Sequence, residues 1–135
     1  MSEKTERLFA IRGASGAENT KDSIIKSTGE MCEKIFKSNN LTTKNIVCVQ
    51  FTLTSDLNVL NPASALRLFY KENRASYNMI DISLIPLFCS QEPQIQGSPS
   101  KMIRVLVTAY LSPDSKIKHV YINGAEKLRP DFAEN

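Results

Sequence analysis

The stretch that most restricts how this chain can fold is Met102-Ile103-Arg104-Val105-Leu106-Val107-Thr108. It is apolar and rich in β-branched residues. Gly97-Ser98-Pro99-Ser100 precedes it and Ser112-Pro113-Asp114 follows, so it reads as a strand. Alternation sends Ile103, Val105 and Val107 to one face, and Met102, Arg104, Leu106 and Thr108 to the other. Both faces are mostly apolar, which predicts a place inside a sheet. Arg104 is then a permanent charge in the middle of an apolar element. It must reach water, pair with an internal carboxylate, or meet an anionic ligand. Periodicity alone favours the first two, because structural arginines outnumber catalytic ones.

The rest of the chain supplies the partners of that strand. Leu8 to Ile11 predicts a first strand that ends in Arg12-Gly13-Ala14-Ser15-Gly16-Ala17. The glycine spacing fits neither a P-loop nor a dinucleotide fingerprint, and a plain turn is expected. Arg12 stands at the strand end, where loops place functional groups. Asn19 or Thr20 can cap an amphipathic helix carrying Ile24, Ile25, Thr28, Met31, Cys32, Ile35 and Phe36, which stops at Ser38-Asn39-Asn40. Gly29 inside it marks close approach to a neighbour. Ile46 to Thr54 predicts a strand with Val47, Val49, Phe51 and Leu53 on one face. Asn61 is the expected cap of a second helix, with Pro62 first and Ala63, Leu66, Phe69 and Tyr70 inward. That helix is expected to end near Lys71-Glu72-Asn73, with a mobile polar stretch to Asn78. Ile80 to Phe88 is the next expected strand, and Pro86 inside it argues for an edge position, a bulge or a strand end. Cys89-Ser90-Gln91-Glu92 places a carboxylate just beyond. His119 to Ile122 predicts a short strand before an Asn123-Gly124 turn of the hairpin kind.

The resulting order, β-α-β-α-β-β-β, defines an α+β domain: a mixed sheet of about five strands with two helices on one face. The uncovered apolar face is expected to be buried by self-association. One domain is expected over residues 1–135, with flexible termini at 1–7 and 130–135.

Composition removes several classes of function. Net charge is +3 without a Lys/Arg run, so no nucleic-acid partner is expected, while an anionic small molecule is compatible. Cys32, Cys48 and Cys89 form no C-x-x-C pair, and free thiols in a reducing compartment are the natural reading. A lone histidine, His119, leaves little room for zinc or for Ser-His and Cys-His chemistry. The polar segment Met1 to Arg7 has no apolar signal core, and no stretch is long enough to cross a membrane. A cytoplasmic enzyme or binding domain remains.

Several short motifs, in order, resemble the trimeric chorismate mutases with a pseudo-α/β barrel. They are Ile11-Arg12-Gly13-Ala14, Thr54-x-Asp56-Leu57 followed by Pro62-Ala63 and Arg67, Cys89-x-Gln91-Glu92, Ile103-Arg104-Val105, and His119-Val120-Tyr121 followed by Leu128-Arg129-Pro130-Asp131. The resemblance spans nearly the whole chain. It implies a homotrimer with active sites at subunit interfaces, and an intramolecular Claisen rearrangement of chorismate to prephenate without metal or cofactor.

The resemblance also implies roles. Arg104 would stabilise the charge growing on the ether oxygen. Glu92 would accept from the ring hydroxyl and orient arginines. Arg12 and Tyr121 would hold a carboxylate. Cys89 would line the pocket as a neutral thiol, and Ala63 would help form its wall. Arg67 would come from the neighbouring subunit, and Leu128 with Arg129 would form a C-terminal cover. Without the resemblance, Arg67 reads as an exposed helix arginine, Arg129 as a partner of Asp131, and Glu92 as a surface carboxylate or an ion-pair partner of Arg104. The family usually has an aromatic residue before the Pro-Ala pair and a lysine after it. Asn61 and Ser64 stand there instead, which weakens the positive rim of the pocket. Two alternatives stay open: a non-catalytic trimer binding small carboxylates, and an enamine/imine deaminase of similar shape.

Overall fold

A computed structural model describes residues 5–133. Its strands are β1 (Arg7–Gly16), β2 (Ile46–Leu53), β3 (Leu87–Gln91), β4 (Met102–Leu111) and β5 (Val120–Ile122), in one sheet ordered β3-β2-β4-β1-β5. The doubly apolar β4 is the central strand, as its pattern requires. It runs antiparallel to β1 and β2, and the edge strands β5 and β3 join these in parallel.

Helices α1 (Lys21–Ser38) and α2 (Pro62–Tyr77) pack on one face and on each other. Thr20 caps α1 by accepting from the Ser23 N–H at 3.1 Å, and Asp22 and Lys37 sit at the ends that suit the helix dipole. Asn61 caps α2 by accepting from the Ala63 N–H at 2.7 Å, with Pro62 in the first turn. The residue at the family's usual aromatic position therefore has a local job here. Gly29 lets the helices touch: a Cβ there would lie 2.1 Å from the Phe69 ring. Ile11, Ile103, Val107, Val49 and Phe51 meet Ile24, Met31, Ile35, Leu66 and Phe69 in the core between the layers. The expected fold class is what the chain adopts.

Several expected boundaries move. β1 runs on through Gly16, where a turn was expected, because β4 pairs with it over its whole length, from Arg7↔Leu111 to Gly16↔Met102. Gly13 serves packing rather than turning, since a Cβ would come within 2.8 Å of Ile35 Cδ1. Val47 leaves the core face because a bulge between Ile46 and Cys48 resets the alternation. α2 does not stop at Asn73. It continues to Tyr77, whose ring packs edge-on against Phe69 at 5.2 Å, and Asn78 ends it in the left-handed conformation with φ 51°. Residues 80–86 are not strand, so Pro86 precedes β3 instead of interrupting it. Asn123 and Gly124 do turn, with φ 53° and 92°, but a 3₁₀ turn (Glu126–Leu128) follows instead of a hairpin strand. Of the termini expected to be flexible, Arg7 opens β1 and Pro130–Ala133 form a short helix, α3. Residues 1–4 and 134–135 lie outside the described residues.

Candidate active site

The uncovered face of the sheet carries one transverse row. Strand register aligns Ser90 with Thr52, Thr52 with Arg104, Arg104 with Ala14, and Ala14 with Tyr121. Arg104 is thus mid-sheet, on the face without helices, and its side chain is 39% exposed. Glu92 lies one residue beyond β3. Its N–H donates to the Leu53 carbonyl at 2.9 Å, which turns its carboxylate back over the row. Glu92 Oε2 accepts from the Thr52 hydroxyl at 2.7 Å and lies 2.8 Å from Arg104 Nε. The Arg104 Nε–H is covered but makes no aligned hydrogen bond despite that distance. The internal pair and the exposed guanidinium are therefore properties of one side chain.

The segment joining Glu92 to β4 is clipped at its far end too. Lys101 N–H donates to both Asp56 oxygens at 3.0 and 3.1 Å, and Met102 N–H donates to Thr54 Oγ1 at 3.0 Å. The Thr54 hydroxyl, with the Lys101 amide and ammonium behind it, holds the exposed Asp56 carboxyl below the usual range.

Arg12 lies on the same face, opposite Leu106, and its N–H donates to His119 Nδ1 at 2.9 Å. Burial pushes the His119 pKa down, the Arg12 and Arg129 guanidinium groups push it further, and Asp131 opposes them. A neutral ring keeps Nδ1 an acceptor. Tyr121 is buried and packs with Ala14, Met102, Ala125 and Leu128. Arg129 pairs with Asp131 at 2.8 Å, as its bland reading anticipated, and this pairing holds it more firmly in the charged form. Arg12, Tyr121, Leu128 and Arg129 therefore gather at the β5 side of the row.

Ala63, Arg67 and Cys89 are not brought to the row. Cys89 pairs in register with Phe51 and packs on the core beneath the helices. Burial raises its pKa, which makes it a poor nucleophile. Ala63 is buried in the first turn of α2, and Arg67 is exposed on that helix. These residues belong to the helix-covered side, so one chain cannot converge them on Arg104. Thr52 is the residue that sequence reasoning missed. Its signal was a polar side chain on the non-core parity of β2, next to a strand bearing an arginine.

A hollow of about 270 Å³ adjoins the row, bounded by Thr54, Asp56, Glu92 and Ser98–Ser100. A larger one of about 870 Å³ lies past the ends of β1 and β4, lined by Lys26, Lys101 and Lys127 among others, and includes none of Arg12, Glu92 and Arg104. No helix among the described residues is long and apolar enough to cross a membrane.

These features define an α+β sheet protein with an arginine–carboxylate site on a bare sheet face. The chain belongs to the chorismate mutase type I family, whose model matches residues 8–132. It is 31% identical over 128 residues to chorismate mutase AroH of Bacillus subtilis (strain 168), covering 93% of each chain. It is 32% identical over 128 residues to chorismate mutase AroH of Thermus thermophilus, covering 90% of this chain and 96% of that one. Among solved structures it resembles a chorismate mutase from Clostridium thermocellum, with TM-score 0.72 and 32% identity over 88% of this chain and 98% of that one.

Proposed function

We propose that this protein is a chorismate mutase, an isomerase that converts chorismate to prephenate in aromatic amino-acid biosynthesis. The observation that carries this reading is the Glu92–Arg104 pair on the bare face of the sheet. Chorismate is a flexible dianion that reacts only when folded into a compact conformer, and arginine forks hold carboxylates in fixed geometry. Arg12 and Tyr121 hold one carboxylate, and Arg129 with Leu128 covers it. Negative charge grows on the ether oxygen as the C–O bond breaks. Arg104 meets that charge in the transition state more than in the ground state, which is what accelerates the step. Glu92 accepts from the ring hydroxyl. No proton transfer, covalent intermediate, metal or cofactor takes part.

The working form is a homotrimer with sites between subunits, and the chain acts as one domain over 1–135 in the cytoplasm. Two observations support the assembly. Leu8, Phe88 and Tyr110 are about half exposed or more on the bare face. Arg67 is exposed on the helix side of the sheet, away from Arg104, so a neighbouring chain would supply it to a shared pocket. The test is to incubate purified protein with chorismate, follow its loss and the appearance of prephenate, and measure the mass in solution by light scattering. Prephenate formation by a trimer is expected. A folded trimer that leaves chorismate at the uncatalysed rate would end this reading.

A further inference from the structure

We propose that Thr52 is a positioning residue that decides which part of Arg104 is held by Glu92, and so keeps the outer guanidinium nitrogens available to the reacting ether oxygen. The inference rests on the mutase reading for its catalytic consequence, while its structural half stands without it.

Both internal contacts of the Glu92 carboxylate fall on one oxygen. Oε2 accepts from the Thr52 hydroxyl at 2.7 Å and faces Arg104 Nε at 2.8 Å. Oε1 makes no side-chain hydrogen bond among the described residues. A carboxylate beside a guanidinium ordinarily forms a two-bond fork, using both oxygens. Here it does not, and Arg104 Nε–H lacks even one aligned bond. The Thr52 hydroxyl explains this. It sits directly across the strand pair from Arg104 and claims Oε2 from the β2 side, which fixes the carboxylate plane. Glu92 then supports Arg104 from behind, at the covered Nε, and Oε1 stays open for a substrate hydroxyl. Without the Thr52 hydroxyl, Glu92 is free to rotate and fork onto Arg104. The arginine would then be neutralised where charge must develop, and Oε1 would be consumed.

Valine is a near-isostere of threonine and suits a strand, so Thr52→Val removes the hydroxyl while keeping the fold. Its kcat is expected to fall on the order of tenfold, the size of one hydrogen bond to a charged group, with a smaller change in KM. Thr52→Ser restores the hydroxyl and should recover most of the loss. An independent readout is the ¹H–¹⁵N signal of Arg104 Nε in ligand-free protein, which should move in Thr52→Val and stay near its wild-type position in Thr52→Ser. An unmoved signal in Thr52→Val overturns the proposal whatever the activity. So does a moved signal with kcat unchanged. If wild-type protein does not turn over chorismate but the signal moves as stated, the hold on Glu92 is upheld and the mutase reading alone fails.

Discussion

On the helix side of the sheet, Ile11, Val49, Ile103 and Val107 have no exposed surface. On the other side the same strands present Arg12, Thr52, Arg104 and Thr108, with Phe88 62% exposed. The covered side is dense enough that Gly13 is needed for the layers to meet and Gly29 for the two helices to touch. The bare side holds polar groups that packing has not committed. A guanidinium among Ile103 and Val107 would have to lose its water for no return, whereas the Arg104 side chain keeps 39% of its surface free and has a carboxylate behind it. Packing is thus concentrated on one face and the uncommitted polar groups on the other. Alternation within single strands makes the separation possible.

If that division is right, Arg104→Ala should collapse kcat at least a hundredfold, a loss of about 3–4 kcal/mol of transition-state stabilisation, with little change in the unfolding midpoint. Near-normal turnover would remove Arg104 from the chemistry. The sharpest probe of the split between faces uses two inactive variants. Arg104→Ala and Arg67→Ala subunits, unfolded together and refolded, should regain activity, because about a quarter of the interfaces in a randomly mixed trimer pair two intact residues. No recovery would place both arginines in one subunit's site. On the packed face, Gly29→Ala should destabilise by about 1–3 kcal/mol or more by driving a methyl into the Phe69 ring, read as a lower denaturant midpoint. Turnover per folded protein should be nearly unchanged.

The smallest effect is one of pH. Burial and two arginines hold the His119 pKa below its ordinary value of about 6.5, so the unfolded chain takes up a proton that the folded chain refuses. The associated stability is present above that value and is lost as pH falls through the folded one. Tm should therefore drop more steeply between about pH 7 and about pH 5 in wild type than in His119→Asn, whose amide oxygen can still accept from Arg12 N–H without titrating. Identical slopes would exclude His119 as the source.

Particular residues explain what could be read in advance. Asn61-Pro62 located the start of α2 because a cap is local chemistry, and the apolar faces of β4 placed it centrally because burial is periodic. The bulge at Val47 was hidden, since a bulge leaves the composition of a strand unchanged and shifts only its register. The last turns of α2 were hidden because their support is tertiary: Lys37 Nζ reaches across from α1 to the Tyr77 carbonyl at 2.6 Å. Small residues in the second half of β1 look like a turn until the long partner strand is known. In the site, a charge stranded at Arg104 was visible from alternation alone, while Glu92, just past a strand, read as a surface carboxylate or an ion-pair partner of Arg104 until the family resemblance gave it a role. Thr52 was not visible, because its importance lies in register between two strands.

The clips at Leu53, Thr54 and Asp56 have one more consequence. They fasten both ends of the 93–100 segment to the same tail of β2, so Glu92 and Arg104 keep their spacing whatever lies between. That segment walls the hollow beside the row without setting the distance between its two charged groups. A change of residues within it would therefore reshape the wall of that hollow while leaving the Glu92–Arg104 pair anchored.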